Sequence, residues 1–203
     1  MRRTKRIAWI LTLAILLTLT VPALAASGVQ NEVQGSAAYM LSAVKAPEVG
    51  SIGGEWAVIG LARSGYPVPA NYFDDYYARV EKYVKDCAGV LHERKYTEYS
   101  RVILALTAIG RDPANVAGYN LLTPLGDFEK TIWQGLNGSI WALIALDSGS
   151  YDIPKNPAAK TQATRQLYVN EILNNQLADG GWNLTGTGNS DPDMTAMALQ
   201  ALA

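Results

Sequence analysis

Ile140-Trp141-Ala142-Leu143-Ile144-Ala145-Leu146 places apolar side chains on every side of a helix. A helix with that pattern is buried all round rather than laid on a surface. Three other stretches read the same way: Glu55-Trp56-Ala57-Val58-Ile59-Gly60-Leu61-Ala62, Ser100 to Ile109, and Met194 to Leu202. Three of the four close at a glycine, Gly65, Gly110 and Gly149, the residue suited to the left-handed position after a helix. Those glycines lie 45 and 39 residues apart, a spacing that fits repeated helix pairs.

Between the buried stretches lie helices of another kind. Residues 71–86 set Tyr72, Tyr76, Val80 and Tyr83 or Val84 on one stripe, with Asp74, Asp75, Arg79, Glu81, Lys82 and Lys85 elsewhere. Residues 159–177 set Leu167, Ile172, Leu173 and Gln176 among Lys160, Arg165 and a series of asparagines. One-sided patterns of this sort face water on one flank. Residues 36–45 are expected to open the series, and prolines punctuate the connections. No strand-like alternation persists, so the chain is expected to be all-α. Wholly apolar helices alternating with amphipathic ones suit an inner layer sheathed by an outer one, an incomplete α/α toroid of helix hairpins; a flat solenoid of helix pairs is the alternative.

The ends carry their own message. Arg2, Arg3, Lys5 and Arg6 precede the apolar run Ile7 to Val21, and Ala23-Leu24-Ala25 is a small-x-small cleavage site. Residues 1–26 therefore read as a signal peptide, and 27–203 as one repeat domain of a secreted or cell-surface protein. The leader holds four of the 17 Lys+Arg and none of the 18 Asp+Glu, leaving a net charge of −5 beyond it. That acidic balance, without a basic tract, excludes nucleic acid as a partner. No transmembrane helix is expected after cleavage. Cys87 is the only cysteine, so no internal disulfide forms. The sequence stops within an apolar helical pattern that lacks an end signal, and further C-terminal domains are expected.

Gln176-Leu177-Ala178-Asp179-Gly180-Gly181-Trp182 resembles the QW repeat of the squalene cyclase and prenyltransferase repeat superfamily, and Gly53-Gly54-Glu55-Trp56 resembles a degenerate copy. Residues 50–203 are similar to bacterial secreted proteins of that prenyltransferase or squalene-oxidase repeat group. Further marks are Lys95 to Arg101, Asn115 to Asn120 and Trp141 to Gly149. The resemblance implies an α/α toroid. It also directs attention to Ser190-Asp191-Pro192-Asp193-Met194-Thr195-Ala196, which is similar to the DxDD motif of class II terpene cyclases, where the middle aspartate protonates an alkene. On that pattern Asp193 is the general acid and Asp191 its neighbour, with Met194 in place of the last carboxylate. The same residues also make a good helix start: Asp191 as N-cap, Pro192 at the first position and Asp193 in the first turn. Thr195-Ala196-Met197-Ala198 resembles the inner-helix start of the vitamin B12 carriers, which implies cobalamin, although the disulfides of those carriers have no counterpart.

No cofactor and no metal is expected. Asp86, Cys87 and His92 crowd into one turn region, unlike the zinc ligands of protein prenyltransferases, and a single histidine builds no nucleophile-base pair. Should the inner helices run parallel, their N-termini share a rim. Glu55, Trp56, Tyr99, Asn137, Trp141 and Thr195 would line it and receive a small apolar or amphipathic ligand. The leading expectation is thus a non-catalytic binding module for a small molecule or polymer. A terpene cyclase using Asp193 and a cobalamin carrier are the alternatives.

Overall fold

A computed structural model describes residues 28–51 and 53–203, so the leader assigned to residues 1–26 lies outside the described residues. The chain is all-α: helices dominate, and the only strand-like pairings among the described residues are the isolated bridges Val116–Tyr119 and Asp127–Gln162. Residues 28–43 are helical (α1), longer at the front than the expected 36–45. Then follow α2 (Gly54–Ser64), α3 (Tyr72–Asp86), α4 (Thr97–Ala108), the short α5 (Phe128–Thr131), α6 (Leu136–Asp147), α7 (Arg165–Asn174) and α8 (Pro192–Leu202). Among the described residues, no helix is long and apolar enough to cross a membrane.

The four apolar stretches are α2, α4, α6 and α8. They pack in chain order, α2 on α4, α4 on α6, and α6 on α8. In α6, nine residues from Leu136 to Leu146 are buried, on all faces, as its lack of any polar stripe requires. Gly138 is what lets α6 start there: a Cβ on it would sit 1.9 Å from the carbonyl oxygen of Thr131. Ile103, Leu106, Ile140, Leu143 and Leu146 are fully buried and form the centre of the core.

All four helices run the same way. Ile59 and Arg63 of α2, Leu104, Thr107 and Ala108 of α4, Ile144 and Asp147 of α6, and Gln200 of α8 line one cavity, and each belongs to the C-terminal half of its helix. Parallel neighbours need a returning segment between them. α3 makes one such return and α7 another.

α3 buries Tyr72, Tyr76, Val80 and Val84, the expected stripe, and leaves Tyr83 exposed. α7 is shorter than the expected 159–177. Thr164 caps its start by accepting a hydrogen bond from the Leu167 amide, and residues 161–163 lie instead along α5. There the Phe128 amide donates to Thr161 O, the Ala163 amide to Gly126 O, and the Thr161 hydroxyl to Glu129. Tyr168, absent from the expected stripe, is the main buried residue of α7. Its hydroxyl donates to Leu125 O at 2.6 Å, while Leu173 is exposed.

The glycine stops hold at two of three places. Gly65 and Gly110 have φ of 67° and 71°. After α6 the left-handed residue is Ser150, with φ 54°. Gly149 is needed for room, because a Cβ there would meet the Tyr151 ring at 2.3 Å.

Candidate functional site

Helix periodicity extends the cavity lining toward the N-terminal ends. Trp56, Ile59 and Arg63 share one face of α2, Arg101, Leu104 and Ala108 one face of α4, and Trp141, Ile144 and Ser148 one face of α6. This face remains partly open although its residues are largely apolar. Trp56 is 42% exposed, and its ring centroid lies 5.3 Å from that of Trp141 at a tilt of 59°. Toward the C-terminal turns the face deepens into a cavity of about 440 Å³.

Five of the nine residues that line the cavity are polar: Arg63, Thr107, Asp147, Ser148 and Gln200. Asp147 is engaged by Arg165, and the Thr107 hydroxyl bonds to Ile103 O at 2.8 Å and to the Tyr151 hydroxyl at 2.9 Å. Arg63 and Gln200 make no side-chain hydrogen bond or ion pair among the described residues. Four helix C-termini converge here, so the cavity sees the negative ends of their dipoles, and the Arg63 guanidinium offsets them.

The residues expected at the N-terminal rim are not all brought together. Trp56 and Trp141 meet on the open face. Glu55 does not line it: the carboxylate is fully buried, accepting from the Gly50 amide (2.9 Å), the Tyr76 hydroxyl (3.4 Å) and Arg101 Nε (2.9 Å). Arg101 also pairs with Glu98, and these contacts fasten the start of α2 to α3 and α4. Burial, with the Glu55 charge beside it, pushes the Tyr76 phenol far above its ordinary value. Asn137 is half-buried on α6, and its Oδ1 has no hydrogen-bond partner among the described residues.

Tyr99 belongs elsewhere. Its buried hydroxyl accepts from the Leu91 amide at 3.0 Å and donates to Gly89 O at 3.4 Å, and its ring stands edge-on to Tyr96. Burial pushes its phenol up to about 12.

Thr195, Asp191 and Asp193 sit at the start of α8, around the motif at 176–182. Thr195 Oγ1 accepts from the Trp182 amide at 3.0 Å and donates to Trp182 O at 3.3 Å. Trp182 is buried, and its indole N–H donates to Ile172 O at 2.7 Å, across the end of α7. Gln176 closes its own turn by donating to Gly180 O. Asp179 accepts from the amides of Gly181 and Ser190, and those donors hold its carboxyl below the usual range. Asp191 caps α8 by accepting from the Met194 amide at 2.8 Å. Asp193 is exposed in the first turn of α8.

Cys87 is half-buried beside Val84 O, and His92 Nδ1 accepts from the amides of Arg94 and Lys95. Among the described residues no group of three or more acidic, cysteine or histidine side chains is placed to hold a metal.

Sequence reasoning missed Ile59, Arg63, Leu104, Ile144 and Gln200. The signal was present: stepping one and two turns on from Trp56 and Trp141 reaches Ile59, Arg63, Ile144 and Ser148. Compared with known proteins, the chain matches no family model, no curated protein and no solved structure.

Proposed function

We propose that this chain is an exported, non-catalytic repeat module of the squalene cyclase-like α/α-toroid type, which holds a small amphipathic ligand on the open face of its inner helices. The observation that carries the reading is the row of four parallel apolar helices with one face left partly uncovered. Trp56, Ile59, Leu104, Trp141 and Ile144 supply an apolar wall there, and Arg63 and Gln200 are free at its deep end. An apolar body with a hydroxyl or similar head suits this lining, since the head meets Gln200 and the helix-end carbonyls.

The reading is non-catalytic because the carboxylates have other duties. Asp191 is occupied by the Met194 amide at the start of α8, Glu55 by Arg101, and Asp193 is exposed in the first turn with Met194 in place of a following carboxylate.

Farnesol, squalene, a prenyl diphosphate and cobalamin, each added to the protein in turn, test this. Binding of farnesol or squalene is expected, with a raised melting temperature and quenched tryptophan emission, and without turnover. Leu104→Arg, which fills the cavity with a charge, is expected to weaken binding at least tenfold. Failure of both apolar compounds to bind, or binding indifferent to Leu104→Arg, would overturn the site. Squalene turnover abolished by Asp193→Asn would make the protein an enzyme, and a shift with cobalamin alone a carrier.

A further inference from the structure

A second groove, of about 560 Å³, lies away from the open face, between the loop that ends α3 and the loop that follows α4. Tyr96, Tyr99, Tyr119, Arg94, Asn120 and Lys130 line it. Tyr119 is presented by a two-residue turn, Ala117-Gly118, with φ of 50° and 86°, closed by reciprocal backbone hydrogen bonds between Val116 and Tyr119. Its ring lies directly on Gly89, where a Cβ would come within 2.5 Å of Cδ1, and it is still 36% exposed. Arg94 connects the groove to another open ring. Its guanidinium sits 4.9 Å from the centroid of Trp133, which is 60% exposed.

The polar tips have capacity to spare. The side chains of Arg94 and Glu93 form no hydrogen bond or ion pair among the described residues. Asn120 uses Oδ1 to accept from the Leu122 amide at 2.9 Å, and its NH₂ has no protein partner among the described residues. Lys130 reaches Asp127 only at 3.9 Å.

We infer that this groove binds an oligosaccharide chain. A sugar ring offers a C–H face, which packs on an exposed aromatic ring such as Tyr119 or Trp133, and a rim of hydroxyls that both donate and accept. Arg94 and Asn120 supply paired donors in fixed planes, and Glu93 supplies acceptors. A purely apolar ligand would strand those groups without partners. A nucleic acid strand would meet Glu93 and a net negative protein. The site is separate from the inner-helix face and does not depend on the function proposed for it.

Titration calorimetry of the full chain with chitohexaose, cellohexaose and hexagalacturonate tests the inference. At least one is expected to bind saturably. Tyr119→Ala removes a stacking face and is expected to weaken that binding tenfold or more. Asn120→Asp keeps the bond to the Leu122 amide, removes the donor, and is expected to weaken it severalfold. Arg94→Ala, an exposed change, is expected to do the same without touching the packing on Gly89. Trp141→Ala, on the other face, is expected to leave it unchanged. The inference is overturned if none of the three sugars binds at millimolar concentration, or if Asn120→Asp and Arg94→Ala both leave the affinity within twofold. It is also overturned if Trp141→Ala alone removes binding, which would move the sugar to the inner-helix face.

Discussion

Ala88 and Ala117 each hold a φ of 50° immediately before a glycine. An alanine in the left-handed region costs about 1–2 kcal/mol, against about 0.5–1 kcal/mol for the extra freedom a glycine gains in the unfolded chain. Ala117→Gly is therefore expected to stabilise the fold by about 0.5–1 kcal/mol in urea unfolding. A loss of stability would mean that the alanine methyl carries packing. Tyr99 gives a pH signature. Its folded value is pushed up to about 12, above the ordinary phenol near 10 of an unfolded chain. The neutral phenol is thus the form that folding favours. Its contribution is fully present below pH 10 and is lost as pH rises toward 12. Melting temperature is expected to fall across that window, and less steeply in Tyr99→Phe. The residue scale is also where sequence reading was least complete. That Asp191 can cap a helix is visible from the three residues that follow it. That Glu55 is buried is not, because its partner Arg101 stands 46 residues away and only the packing of α2 on α4 joins them.

Elements were more legible than residues, and for a definite reason. α2, α4, α6 and α8 announce themselves because apolar side chains cover every face, a pattern that only burial can satisfy. α3 was legible from its stripe. α7 was not, because Thr164 caps it five residues after the polar pattern begins, and residues 161–163 bond to α5 instead. The four-residue α5 and the 3-10 turns at Thr123–Gly126 and Ile132–Gln134 carry too few residues for any period to show. The start of α8 distinguishes a cap from an acid. Asp191→Asn retains an acceptor for the Met194 amide and is expected to change stability by only a few tenths of a kcal/mol, whereas Asp191→Ala is expected to cost about 1 kcal/mol. Equal losses in the two variants would show that the negative charge itself, rather than the cap, matters.

At the scale of the whole molecule, the shared direction of α2, α4, α6 and α8 determines where a cavity can open. Parallel helices were expected to make a mouth from their N-termini. In the structure Glu55 pairs with Arg101 at the starts of α2 and α4, Thr195 bonds to Trp182 at the start of α8, and the cavity that all four helices share lies toward the other ends. Sequence alone could name the four helices, but the end at which room is left depends on connections whose side chains meet only in the folded chain. Leu104→Arg belongs to this scale, since it tests whether the whole row shares one cavity.

The unequal neighbourhoods of α2 and α6 have a kinetic consequence. α6 touches α4, α5, α7 and α8, whereas α2 has one partner in the row, α4, and is otherwise held by α1, through Gln34 and Met40, and by α3, through Tyr76. Opening of α2, at the end of the row, breaks its contacts with α4, α3 and α1 but leaves the packing of α4 on α6 and of α6 on α8 in place, whereas freeing α6 breaks the row in the middle. Deuterium should therefore enter the amides of Val58 and Leu61 well before those of Leu143 and Ala145, and the slowest sites should report the global unfolding free energy.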